Sequence, residues 1–116
     1  VPSFELIYEE DEDVLEVTFE TFDESFARTI TLNDSIVLYT DLNISVAWGL
    51  TFYSYRQLLE VNETYLDGLA QLAEVDARRL LRVLQKRPAS YFLEPTDPGE
   101  LRAVVRAPGL KDLIGE

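Results

Sequence analysis

Across residues 44–53 large and small positions alternate. Ile44, Val46, Trp48, Leu50 and Phe52 form one set, and Ser45, Ala47, Gly49, Thr51 and Tyr53 the other. A strand sends successive side chains to opposite faces, so this stretch predicts a long central strand with one wall of large apolar groups and one of mostly small groups. The large face is expected to bury the only tryptophan, and Gly49 on the small face to let another element approach closely.

Two shorter alternating runs come before it, at residues 4–9 and 14–20. With residues 10–13 as a four-residue loop, Tyr8 faces Leu15, Leu6 faces Val17 and Phe4 faces Phe19. All three apolar pairs then fall on one face of one hairpin, the register that a half-buried antiparallel pair needs. Glu5, Glu16 and Glu20 occupy the other face. Residues 26–32 alternate again, interrupted by Arg28, and Asn33-Asp34-Ser35 supplies turn chemistry. Residues 36–40 read as a short strand and 41–43 as the turn into the central one. Taken as consecutive neighbours, these five strands make an antiparallel meander.

Beyond Tyr53 the period changes. Residues 55–61 hold a helical turn or two. Tyr65, Leu66, Leu69 and Leu72 recur at helical spacing, although Gly68 among them costs about 1 kcal/mol relative to alanine. The clearest helix follows, with Asp76 as its N-cap, a stripe of Ala77, Leu80, Leu81 and Leu84, and Pro88 as its stop. In the tail, residues 91–93 read as a short strand and 95–99 as a turn. Residues 101–107 are either a strand paired back on 91–93, giving a short extra hairpin, or a helix capped at Asp97 with Pro98 first; Val104 and Val105 lean toward strand. Residues 108–114 are read as a last short helix. The fold class is α+β: a five-stranded N-terminal sheet packed by C-terminal helices. We expect a single domain over residues 1–116, with sheet at about 3–54, helix at about 55–87 and a mixed tail at 88–116.

Charge narrows the functional classes. Ten basic against 22 acidic side chains give a net −12, a field that repels phosphate, so neither nucleic acid nor an anionic membrane is expected as a partner. The chain has no histidine and no cysteine, which removes imidazole bases, Ser-His-Asp triads, thiol chemistry and Cys/His zinc sites. The longest run without charge, residues 42–55, is shorter than the ~20 apolar residues of a spanning helix, and it alternates. The first residues lack the basic-then-apolar pattern of a signal peptide, and the expectation is a cytoplasmic protein.

No residue is singled out as catalytic, cofactor-binding or metal-ligating. Residues 9–13 offer five carboxylates for Ca²⁺ or Mg²⁺ but lack the spaced ligands and turn glycine of a calcium loop, so a solvated hairpin tip is the plainer reading. Scattered carboxylates would serve acid/base chemistry only if a cleft held two of them a few ångströms apart. The triplets at residues 33–35, 43–45 and 62–64 match the glycosylation pattern and equally well serve as turn and cap chemistry. The distribution of charge says more. Ten acidic residues lie within residues 1–24, where there is no Lys or Arg, and five cations, Arg78, Arg79, Arg82, Lys86 and Arg87, fall within ten positions of the best helix. Either that helix face is simply solvated, or it meets the acidic hairpin within one subunit or across a dimer. Glu5, Glu16, Glu20, Arg78, Arg79 and Arg82 are the candidate partner-binding residues.

Three pieces fit a known pattern. Tyr8, the acidic run and then Asp13-Val14-Leu15 resemble the Y-D-x-x-x-D-x-L opening of a small bacterial domain family of unknown function. Residues 32–38 echo the N-L-T-D-x-I-V-L strand of its longer members, and Gly49-Leu50-Thr51-Phe52-Tyr53-Ser54-Tyr55-Arg56 echoes its G-[IL]-x-F-x-x-[FY]-R ending. The likeness covers residues 4 to about 59. It departs at Glu9, where the family has Asp, and at Leu42-Asn43, where glycine is common. What it implies is a small sheet followed by helix, no defined activity, and, from members encoded beside small toxin-like proteins, an antitoxin or partner-binding role.

The leading expectation is a non-catalytic protein-interaction module that forms a homo-oligomer, a symmetric homodimer in particular. The alternative is an antitoxin-like protein that masks a small basic partner with its acidic face. A third, a carboxylate-based enzyme, demands a concave pocket holding at least two carboxylates of raised pKa.

Overall fold

The computed structural model describes residues 4–20, 22–61, 63–97 and 101–107. The fold is α+β. Five antiparallel strands, β1 (Glu5–Glu9), β2 (Val14–Thr18), β3 (Arg28–Asn33), β4 (Ile36–Thr40) and β5 (Ala47–Tyr53), form one sheet. Helix α1 (Tyr55–Glu60) leads to a two-residue strand β6 (Thr64–Tyr65), a 3₁₀ turn (Asp67–Gln71) and helix α2 (Glu74–Gln85). Strands β7 (Leu93–Asp97) and β8 (Arg102–Val105) then join β6 in a second, three-stranded sheet of order β6-β8-β7. Residues 101–107 therefore hold a strand and an extra hairpin forms in the tail, but its partner is Leu93–Asp97 and not 91–93: Tyr91 ends a 3₁₀ turn (Ala89–Tyr91), and residues 95–97, expected as turn, are strand paired with β8. The helix expected at 108–114 lies outside the described residues.

The first hairpin has the register its pattern predicts: Tyr8 opposite Leu15 and Leu6 opposite Val17. Phe4 and Phe19 meet edge to face, with ring centroids 5.2 Å apart. The strand order is not that of consecutive neighbours, however. It runs β1-β2-β5-β4-β3, so β2 through β5 form a Greek key in which β5 enters between the two hairpins. The reason lies in β5 itself. Six of its seven residues are at least half-buried, and a strand so enclosed must satisfy its backbone groups on both sides; at the end of a meander one side would go unpaired.

Leu15, Val17, Ile30, Leu32, Ile36, Leu38, Leu50 and Phe52 belong to one buried cluster with Leu80, Val83 and Leu84 of α2 and with Phe92, Leu93, Ala103 and Val105 of the second sheet. The strand starts at Ala47 and not at residue 44, and of the expected wall Ile44, Leu50 and Phe52 are buried while Val46 is exposed and Trp48 leaves the core. Thr40 pairs with Ala47 and Tyr39 with Gly49, so Trp48 is the extra residue of a β-bulge. The bulge turns Ala47 into the core and leaves Trp48 half-buried, stacked on Phe22 at 5.6 Å, while Phe22 also packs on Tyr39. Gly49 lies under the same ring: a Cβ there would come 3.7 Å from Phe22 and only 2.8 Å from the Val17 carbonyl.

Two expectations about helices need correcting. Helix α2 begins at Glu74, so Asp76 is not its N-cap but a first-turn residue, 3.5 Å from Arg28 of β3. The stripe of Tyr65, Leu66, Leu69 and Leu72 belongs to no α-helix: Tyr65 lies in β6, Leu69 in the 3₁₀ turn, and Leu66 and Leu72 flank that turn. Gly68 explains why. A Cβ at residue 68 would stand 2.0 Å from the Thr31 carbonyl and 2.9 Å from that of Leu32, so the turn lies directly on the outer edge of β3.

Candidate functional site

The two edges of the large sheet are β3 and β1. At β3, the 3₁₀ turn covers the backbone, and Asn33 Nδ2 donates to Thr64 Oγ1 at 3.2 Å and to the Tyr65 carbonyl at 2.8 Å. At β1 all five residues are exposed, with Leu6, Ile7 and Tyr8 at 46, 45 and 40%. One side of β1 pairs with β2 along its whole length; among the described residues no strand pairs with the other. Unpaired apolar edges of this kind invite another strand.

Under this edge lies a groove of about 350 Å³, lined by Leu6, Tyr8, Leu15, Tyr55, Leu59 and Phe92 together with Arg56 and Ala107. Leu15 and Phe92 belong to the buried core, so the groove opens directly from the core to the sheet edge. Leu6 and Tyr8 sit on the core-facing side, opposite the buried Val17 and Leu15. Ile7 pairs with the exposed Glu16 on the outer side, the side that also carries Glu5.

One end of the groove is fixed by polar contacts. Val14 pairs with Tyr53, which brings Asp13 beside the start of α1. There the Arg56 backbone N–H donates to both Asp13 carboxylate oxygens at 3.1 Å, supplying a cap that the Ser54 side chain does not make. Tyr8 OH donates to Asp13 Oδ1 at 2.7 Å and accepts from Arg56 Nε at 2.8 Å. The Tyr8 hydrogen bond, followed by the contacts from Arg56, holds the Asp13 carboxyl below its ordinary range; the same bond raises the Tyr8 phenol. Burial raises Tyr55, whose hydroxyl donates to the Arg106 carbonyl at 2.9 Å. Tyr8, Asp13, Leu15, Tyr55 and Arg56 are all positions of the family-like pattern, and here they converge.

Comparison with family models, with curated proteins and with solved structures gives no match.

The residues nominated from sequence fall in two places. Glu5 and Glu16 share the outer side of the first hairpin, and Glu20 is exposed just beyond it. Arg78, Arg79 and Arg82 are exposed on α2. Among the described residues no ion pair joins α2 to the hairpin; the hairpin's cation is Arg56, 3.5 Å from Asp13. Arg79, Arg82 and Lys86 instead line a cleft of about 450 Å³ with Asn43, Ile44 and Ser45. Sequence reading missed the Tyr8–Asp13–Arg56 cluster and the role of Leu59 and Phe92.

Among the described residues no group of three or more His, Cys, Asp or Glu is placed to hold a metal ion. The tip carboxylates Glu9, Glu10, Asp11 and Glu12 are exposed. A wider depression of about 840 Å³ between α2 and β7–β8 contains one described carboxylate, Glu94, which is paired with Arg106 at 2.7 Å. Among the described residues the carboxyls that shift, Asp13 and Asp41, both shift down; at Asp41 burial pushes upward but is outweighed by hydrogen bonds from Ser45 and Val46. A general acid needs the opposite displacement.

Proposed function

We propose that the chain is a non-catalytic protein-interaction module and that the outer edge of β1, with the groove beneath it, is its docking surface. One observation carries this: Leu6, Ile7 and Tyr8 stand exposed on a strand whose outer edge, unpaired among the described residues, opens into an apolar groove, on a sheet whose other edge is covered. Strand addition at such an edge draws affinity from backbone hydrogen bonds and specificity from pockets for alternate side chains. The partner is a protein, either a second copy giving a homo-oligomer or a small basic protein masked in the manner of an antitoxin target. The net charge of −12 argues against nucleic acid and anionic lipid, and no helix among the described residues is long and apolar enough to cross a membrane. We place the module in the cytoplasm.

Photocrosslinking in the native cell tests the reading. With a photoreactive residue at position 7, we expect a discrete protein adduct that disappears in Leu6→Lys. Recovery of the chain without any adduct removes the proposal.

A further inference from the structure

We infer that β1 accepts an extended segment of a different protein as an added antiparallel strand, and that this segment is basic at both ends and apolar between them. The inference rests on the docking role of β1 proposed above and adds the chemistry of what docks there.

The geometry sets the pattern. A strand added at this edge lies ~4.8 Å beyond β1, and its successive side chains point to opposite faces of the sheet. Residues opposite Leu6 and Tyr8 hang over the groove, where Leu15, Tyr55, Leu59 and Phe92 supply apolar walls, so these two are aliphatic or aromatic. The residue opposite Ile7 lies on the outer side, against a large exposed apolar group, and is apolar too. At either end stand Glu5 and Glu9, both exposed, with Glu16 next to Ile7 on the outer side and Glu10, Asp11 and Glu12 exposed in the adjoining turn. Opposite charges directly across a strand pair stabilise it, and like charges destabilise it. The end positions of the incoming segment are therefore Lys or Arg.

The same charges argue against a second copy. Two β1 strands paired antiparallel over all five residues must centre on Ile7, which puts Glu5 of each opposite Glu9 of the other. Four carboxylates then face one another in two like-charge pairs, on molecules that each carry −12. Arg56, the cation described beside Tyr8, does not relieve them, because it is already engaged with Tyr8, Asp13 and the Glu10 carbonyl. A basic segment meets no such repulsion, and the field of the whole chain steers it inward.

The test uses the full chain and two synthetic peptides, acetyl-Gly-Lys-Leu-Val-Leu-Lys-Gly-amide and the same sequence with Glu in place of both Lys. Titration followed by amide NMR is expected to shift residues 5–9, with the Lys peptide bound on the order of tenfold more tightly than the Glu peptide. The preference should reverse in the double variant Glu5→Lys, Glu9→Lys, whose surface substitutions leave the core untouched. N-methylation of alternate peptide nitrogens, in one of its two phases, should abolish binding by blocking the added ladder. Equal affinity for the two peptides, a preference that survives charge reversal, or binding indifferent to both N-methylated phases overturns the inference. If neither peptide binds while the position-7 adduct forms in cells, the module reading stands and this partner chemistry falls. An adduct with the mass of two chains replaces the basic segment by a second copy. Neither peptide binding nor adduct removes both.

Discussion

The two margins of the large sheet solve the same problem in opposite ways. At β3 the chain doubles back, lays the 3₁₀ turn Asp67–Gln71 on the backbone, and ties Asn33 to β6. At β1 it leaves three large apolar side chains in solvent beside a groove. Both strands are short, and both pair along their inner side, β3 with one irregularity at Leu32, so strand length does not account for the contrast. What differs is the cover. A glycine at position 68 allows a backbone-to-backbone approach at β3, and no described segment makes a comparable approach at β1. A sheet that closes one margin so tightly makes the exposure at the other a feature of the molecule to be explained.

The largest effect should come from unsealing β3. Any Cβ at position 68 falls 2.0 Å from the Thr31 carbonyl, and a backbone oxygen in a paired strand cannot move aside as the end of a flexible side chain can. Gly68→Ala should therefore cost about 3 kcal/mol, read as a lowered urea midpoint with an unchanged slope. A loss under about 0.5 kcal/mol, within the range of ordinary surface substitutions, would mean that the cover at β3 is loose and that the contrast is overstated. Asn33→Ala comes next. It removes the two bonds to Thr64 and Tyr65 and the acceptor for the Ser35 N–H at 2.8 Å, and should cost about 1–2 kcal/mol. If it costs nothing, the tie between β3 and β6 is decorative.

How much of this was legible in the sequence follows from how local each feature is. The β1–β2 register could be read because alternation and a four-residue loop admit one arrangement that puts three apolar pairs on one face. At Arg102–Val105 four residues carry too few periods to choose between strand and helix. Alternation alone puts Trp48 on the core wall, whereas a bulge at that one residue breaks the alternation where Ala47, and not Trp48, turns inward. Local spacing makes Gly68 a weak point in a helix, since the actual reason for the glycine, the carbonyl of Thr31, is supplied by a distant strand. The Tyr8–Asp13–Arg56 cluster was written in the family-like pattern residue by residue. Its assembly needs the β2–β5 pairing, which the meander reading did not contain.

A smaller effect is expected at the polar end of the open margin. Because Asp13 has a lower pKa folded than unfolded, the folded state prefers its ionised form. Its contribution is therefore present above the ordinary carboxyl value of about 4 and is lost as pH falls through the depressed folded value. Asp13→Asn should be less stable than the parent at pH 6, and the gap should close in the acid range below about pH 4. Denaturant midpoints across pH 2.5–7 (the order of range over which Asp titrates) read this directly. A gap that widens on acidification reverses the sign and would remove Asp13 as the anchor of α1.

The smallest expected effect is also the sharpest test of the contrast. Leu6 is nearly half exposed on an edge strand, so Leu6→Lys should change stability by no more than about 0.5 kcal/mol, many times less than the glycine substitution at the sealed margin. The lysine stem can still lie along the groove while its ammonium reaches water, which keeps the monomer intact. Binding is another matter, because a cation at position 6 stands where an incoming aliphatic side chain must settle. The two measurements should separate: an unchanged urea midpoint with loss of the position-7 adduct. If Leu6→Lys instead unfolds the chain, β1 is held as tightly as β3, and the exposed apolar edge belongs to the core rather than to a partner.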